Sequence, residues 1–110
     1  MNAQVEEKVL SECGFILSAR RSHATEYKNK DIIIYTVDIS SLNLIINPED
    51  YVYLKGFECK KIHNSNLNVF PKEFNKGETK INYGYKIEFD DSLSMKQFLM
   101  DYLRYKSEAI

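Results

Sequence analysis

The apolar positions change period along the chain, and each change marks an element. Val5, Val9, Leu10 and Cys13 recur at helical spacing with Glu6, Glu7 and Glu12 off that face, which predicts a helix over 2–13. Gly14 stops it, because glycine tolerates the left-handed position after a helix, and the early acidic pair suits the positive helix end. Phe15, Leu17 and Ala19 then alternate with small or polar residues, as in a half-buried strand, until Arg20-Arg21-Ser22-His23 breaks the pattern. The β-branched run Ile32 to Val37 suits an inner strand. Ser40-Ser41 turns the chain into a short strand from Leu42 to Ile46, which Pro48 closes because proline cannot extend a ladder. Residues 48–54 fit a short helix with proline at its first position, and 57–62 read as extended. Residues 63–80 are polar, with turns around Asn64-Ser65-Asn66 and Asn75-Lys76-Gly77. Ile81 to Phe89 alternates strictly, and Gly84 within it signals a bulge or a close backbone approach. In the last helix Met95, Phe98, Leu99, Tyr102 and Leu103 form the apolar stripe, Ser94 and Gln97 have capping-box spacing, and Asp90 and Asp91 precede its positive end.

The resulting order, α-β-β-β-(α)-β-β-α, predicts an α+β fold: a mostly antiparallel sheet of about five strands with the N- and C-terminal helices packed on one face. At 110 residues, without repeat, linker or low-complexity tract, 1–110 reads as one domain. Apolar residues at 44% and charged residues at 28% are those of a globular protein. No apolar run approaches the roughly 20 residues of a membrane helix, and the first residues have neither the basic start nor the apolar stretch of a signal peptide. A cytoplasmic protein with no membrane partner is expected.

The net charge of −1 steers the chain to no polyanion as a whole, but the charge is uneven. Residues 1–50 hold five Lys/Arg against eight Asp/Glu, residues 51–86 seven Lys against three Glu, and residues 87–110 three basic against five acidic residues. The middle third is a local cationic segment, or simply a solvated face. Cys13 and Cys59 stand far apart in the chain with no second cysteine at zinc-site spacing, which predicts two reduced thiols. No metal site and no cofactor are expected. Asp90 and Asp91, as strand-end neighbours, point apart and fit a helix start better than a metal pair.

Candidate binding chemistry concentrates in 60–86. Lys60, Lys61, His63, Asn64, Ser65 and Asn66 are followed by Phe70, Lys72, Lys76, Tyr83 and Tyr85, a set rich in cations, amides and aromatic rings. Amides and backbone N–H groups in such a turn can hold an oxyanion or phosphate, with the lysines adding charge. The same Asn and Ser side chains can instead bond their own backbone and pin a turn. Cys59 and His63 would share a face on a helix and make a thiolate–imidazole pair, but in an extended stretch they need not meet. His63 near Ser65 lacks a nucleophile elbow and an acidic third member. His23 beside Arg20 and Arg21 either extends a cationic face or is a solvated strand end. No catalytic residue is assigned.

The spacing His63-Asn64-Ser65-Asn66, Phe70-Pro71-Lys72, Gly77 and Tyr83-Gly84 resembles the signature of a family of small uncharacterised bacterial proteins, with Leu67 where methionine is expected. The likeness extends to Gly14-Phe15, to Ile46-Asn47-Pro48 and to the final helix. It implies a shared fold and surface and brings no activity or substrate.

Three functions follow as expectations. The first is a non-enzymatic protein-binding module, an immunity- or antitoxin-type inhibitor whose partner is another bacterial protein, a toxin or nuclease. A small chain with a polar, aromatic surface module suits it, as does a bias to Lys, Asn and Ile (12, 9 and 11 residues) of the kind seen in AT-rich mobile loci. The second is a nucleic-acid or phosphate-binding module in which the lysines track phosphates and Phe70, Phe74, Tyr83 and Tyr85 stack bases. The third is a small enzyme using His63.

Overall fold

The computed structural model describes residues 2–38 and 40–108. Its elements are α1 (Asn2–Glu12), β1 (Ile16–Arg20), β2 (Thr25–Asn29), β3 (Ile32–Thr36), β4 (Leu42–Ile46), a 3-10 turn (Pro48–Asp50), α2 (Tyr51–Leu54), β5 (Lys60–His63), β6 (Lys72–Phe74), β7 (Lys80–Phe89) and α3 (Ser92–Glu108). The fold is α+β. The strands pair antiparallel in the order β1-β2-β3-β4-β7-β5, and β6 pairs with the start of β7. The sheet therefore has seven strands where the sequence pattern predicts about five.

The two additional strands are polar ones. In β2 the only strongly apolar residue is Tyr27, and Glu26 beside it is buried. Burial pushes the Glu26 carboxyl up, but hydrogen bonds from Tyr35 (2.6 Å) and Ser18 (2.9 Å) and the nearby Arg21 charge outweigh it and hold the group ionised below its usual range. A strand with that network on one face carries no alternating hydrophobic signal. β6, Lys-Glu-Phe, is too short to carry one.

The N-terminal helix ends where the glycine stands. Gly14 has φ +86°, the Phe15 amide donates to Leu10 O at 2.9 Å and the Gly14 amide to Ser11 O at 3.0 Å, which is a Schellman cap. α3 begins three residues earlier than the Ser94–Gln97 spacing suggests: Asp91 is its cap, accepting from the Ser94 amide at 2.8 Å. β1 is an edge strand with a register shift between Leu17 and Ala19; of the alternating face the sequence predicts, Phe15 is buried but Leu17 is exposed.

Both faces of the sheet are covered. α1, α2 and α3 pack Val9, Leu10, Leu54, Met95, Phe98, Leu99 and Tyr102 on one face, against Tyr27, Ile34, Leu42, Leu44, Ile46 and Ile87. A hydrogen bond of 2.5 Å from Tyr102 to the buried Asp50 ties α3 to the 3-10 turn, and Lys106 completes the site at 3.2 Å from the same carboxylate. On the other face Tyr35, Ile45 and Ala24 lie under Leu67 and Phe70 of the connection between β5 and β6. The close approach expected at Gly84 occurs here. A Cβ on Gly84 would stand 2.7 Å from Ile45 Cγ2 and 3.0 Å from Phe70 Cδ2. Gly84→Ala is accordingly expected to lower stability by about 2 kcal/mol, read as a fall in the urea midpoint; an unchanged midpoint would mean that Phe70 moves away freely.

α1 is held to β4 by a buried polar contact. Glu6 is 3% exposed and its carboxylate accepts from the Asn43 amide at 2.8 Å. Asn43, fully buried, in turn closes the β3–β4 connection: while its backbone N–H meets Glu6, its side-chain carbonyl accepts from the Val37 amide and its side-chain NH2 donates to the carbonyls of Val37, Asp38 and Ser41. Burial, less the opposing pull of the Asn43 amide and with Asp38 adding to it, lifts the Glu6 carboxyl from 4.5 to about 7. Between those two values the folded chain keeps a proton that the unfolded chain has released. Stability therefore falls as pH rises through that window, by on the order of 3 kcal/mol from this group. Glu6→Gln keeps an acceptor for Asn43 and does not titrate. Its stability relative to the wild type should rise by that amount between about pH 4.5 and about pH 8 in urea melts, whereas a constant difference would show Glu6 titrating normally.

Candidate functional site

The register of β5 and β6 on β7 decides which side chains meet. Lys61 pairs with Tyr85, His63 with Tyr83, and Glu73 with Ile81. Because side chains alternate along a strand, all of these project to one face, beyond the end that the helices cover. The Glu73 carboxylate lies 2.7 Å from His63 Nε2 and 3.1 Å from Lys61 Nζ. The Lys61 ammonium stands 5.1 Å from the centre of the Tyr83 ring, and the His63 ring stacks on the same tyrosine at 6.0 Å. Tyr51 of α2 continues the patch, 4.7 Å from Tyr85 ring to ring. Beside it, Val69, Pro71 and Tyr83 face Asn47, Pro48 and Glu49 across an open depression of about 500 Å³.

The electrostatics of the cluster are internally compensated. The Lys61 hydrogen bond, helped by His63, holds Glu73 below the usual carboxylate range, and Glu73 holds the Lys61 ammonium above its own. Burial lifts the Tyr85 phenol while Lys61 opposes it. The patch thus offers aromatic faces and hydrogen-bonding groups, with one acid set between two bases.

Of the residues singled out in the sequence, Lys61, His63, Tyr83 and Tyr85 come together here. Lys60 stands across from Lys86, beside Glu58, Glu88 and Asp90. Lys72 pairs with Asn82, and Lys76 sits exposed in the turn before β7, where it takes the positive φ (+56°) that the neighbouring Gly77 would be expected to supply. Phe70 is 2% exposed and belongs to the second core. Ser65 is exposed. Asn64 and Asn66 are committed to the protein's own backbone. Asn64 accepts from the Asn66 amide at 2.9 Å and donates to His23 O at 3.0 Å, and Asn66 accepts from the His23 amide at 2.7 Å. They pin the β1–β2 turn to the β5–β6 connection.

Glu73 and Tyr51 were not among the sequence candidates. Glu73 lies in the lysine-flanked β6, and only the pairing of β6 with β7 reveals its neighbours. Tyr51 and Tyr53 open α2 at strand-like spacing, so no pattern marked one of them as facing Tyr85. The two thiols also differ from a nucleophilic site. Burial pushes Cys13 and Cys59 up, and four residues of extended chain carry Cys59 about 13 Å from His63. Among the described residues there is no group of three His, Cys, Asp or Glu side chains placed to hold a metal ion, and no helix is long and apolar enough to cross a membrane.

No family model matches the chain, and no solved structure matches it. Phosphoribosylformylglycinamidine synthase subunit PurL of Picrophilus torridus is 37% identical to it over 62 residues, which is 56% of this chain and 8% of that protein. The chain thus spans less than a tenth of the length of that relative.

The amide pins are directly testable. Asn66→Ala removes the acceptor of the His23 amide, and the variant is expected to lose about 1 kcal/mol of stability. Hydrogen exchange at the His23 amide should speed up selectively; exchange that stays at the wild-type rate would show that the turn holds without Asn66.

Proposed function

We propose that this chain is a non-enzymatic protein-binding module, an inhibitor of the immunity or antitoxin type that covers another bacterial protein in the cytoplasm. Its docking face is the Lys61–His63–Glu73–Tyr83–Tyr85 cluster with Tyr51. The observation that carries the reading is the Glu73 carboxylate held between Lys61 and His63 over an aromatic floor. Tyrosines with a few fixed charges are the usual anchors of protein interfaces, and a preset polar network gives specificity at modest desolvation cost. Exposed apolar side chains border the patch, Tyr51 at 43% and Val69 at 56%, as expected for a contact surface with a polar rim.

A nucleic-acid surface fits less well. Glu73 neutralises the lysine that would meet a phosphate, and Lys60, Lys72 and Lys76 do not join Lys61 in one track.

The test is co-expression with the products of the adjacent genes, reading a stoichiometric complex and protection of the cell from its partner. Tyr83→Ala should weaken the complex at least about ten-fold, as an interface anchor does, with the melting temperature held within a few degrees. Lys72→Ala, outside the cluster, should leave it unchanged. Equal loss in both variants, or no partner among the neighbours, would overturn the assignment.

A further inference from the structure

A cavity lies at the other end of the sheet, where Glu6 of α1 meets the end of β1, the start of β2 and the end of β3. It measures about 570 Å³. Its inner wall is polar but almost sealed from solvent: Glu6 is 3% exposed, Tyr27 4% and Thr36 7%. One Glu6 oxygen is met by the Asn43 amide; among the described residues no donor meets the other, and the Tyr27 and Thr36 hydroxyls have no side-chain partner. All three residues line the cavity, and their unpartnered polar atoms keep accessible surface. A buried carboxylate in that position wants a cationic or donor group, because ionisation without one is costly. The raised Glu6 pKa reports that cost.

The rim has the opposite character. Arg20, Arg21 and His23 stand there. Arg20 pairs with Glu7 at 3.3 Å between two exposed side chains and can exchange that partner, whereas Arg21 stands 3.6 Å from the buried Glu26 and keeps it, leaving its other N–H groups for a ligand. Asp38, also at the rim, adds its field to that of Glu6 and favours a positive group inside. A simple anion would leave the buried acid unmatched, and a simple amine would leave the two guanidinium groups unused.

We propose that this cavity binds a small zwitterion of the free α-amino acid class, its ammonium on Glu6, Tyr27 and Thr36 and its carboxylate on Arg20 and Arg21. The cavity leaves room for such a ligand with part of its water. The site is separate from the docking face and does not depend on it, since the two occupy opposite ends of the strand order.

The test is titration of the full chain with each of the twenty L-amino acids at millimolar concentration, followed by amide NMR and by the melting temperature. At least one amino acid should shift the Tyr27 and Thr36 amide resonances and raise the melting temperature. Its decarboxylated amine, its deaminated acid and inorganic phosphate should each bind about ten-fold more weakly or worse, since each leaves either the acidic wall or the basic rim unpaired. Glu6→Gln and Arg21→Ala should cost a similar factor. Thr36→Val, which leaves the Asn43 contact intact, reads the same wall should Glu6→Gln fold poorly. Binding by no amino acid, equal binding of phosphate or of the amine, or full affinity in both wall variants would each overturn the proposal.

Discussion

The seating of Phe70 on Gly84 organises the half of the molecule that the helices do not reach. With no side chain on Gly84, the Phe70 ring settles against Ile45 and meets Tyr35 edge-on at 4.9 Å between centroids. Burial of a ring of that size contributes about 2 kcal/mol, and the Tyr35 hydroxyl adds a bond by accepting from the Val69 amide at 3.0 Å while donating to Glu26. A polar connection is thereby drawn across an apolar sheet face. From that anchor the Asn82 amide reaches Phe70 O at 2.8 Å and the Tyr83 amide reaches Pro71 O at 3.0 Å. β6 then starts in register, and Glu73 arrives beside His63. The cluster on one face is therefore positioned by a ring packed on the other.

The architecture was legible wherever an element buries apolar side chains at a regular period. β3, β4, β7 and both long helices satisfy that condition, and Gly14 and Gly84 mark the cap and the close approach that the sequence predicts. What escaped was structure built on polar groups. β2 hides its burial in Glu26, and β6 is three residues long. The segment 63–71 has the composition of a solvated loop, and of the two readings its sequence left open the internal brace is the one seen at Asn64 and Asn66, which satisfy main-chain groups at the β1–β2 turn, while Asn82 of β7 does the same at Phe70. Asparagine reads the same in a sequence whether its amide faces water or a carbonyl. Four of the six residues of the candidate site were legible for a related reason. Alternation in β5 and β7 places Lys61, His63, Tyr83 and Tyr85 on one side, whereas the lysines at 60, 72 and 76 separate by strand parity and turn position, which net charge over a window does not encode.

Three acidic side chains of this chain do different kinds of work according to the donors around them. Glu73 lies at the surface and fixes the direction of two basic side chains. Asp50 is buried, with a phenol and an ammonium around it, and ties a helix to a turn. Glu6 is buried with one amide and an open cavity, so its ionisation is costly and responds to whatever enters there. The order of these environments follows from the number of donors each carboxylate finds, more than from its distance to the surface.

The two borders of the sheet have been left with different protection. On one side the register shift in β1 interrupts the row of free amides and carbonyls next to the exposed Ile16 and Leu17. On the other, β5 begins with two consecutive lysines. A twisted border and a charged one are both poor templates for a foreign strand. Each border thus carries its own obstacle to pairing with a foreign strand, although bare aliphatic side chains stand on one of them.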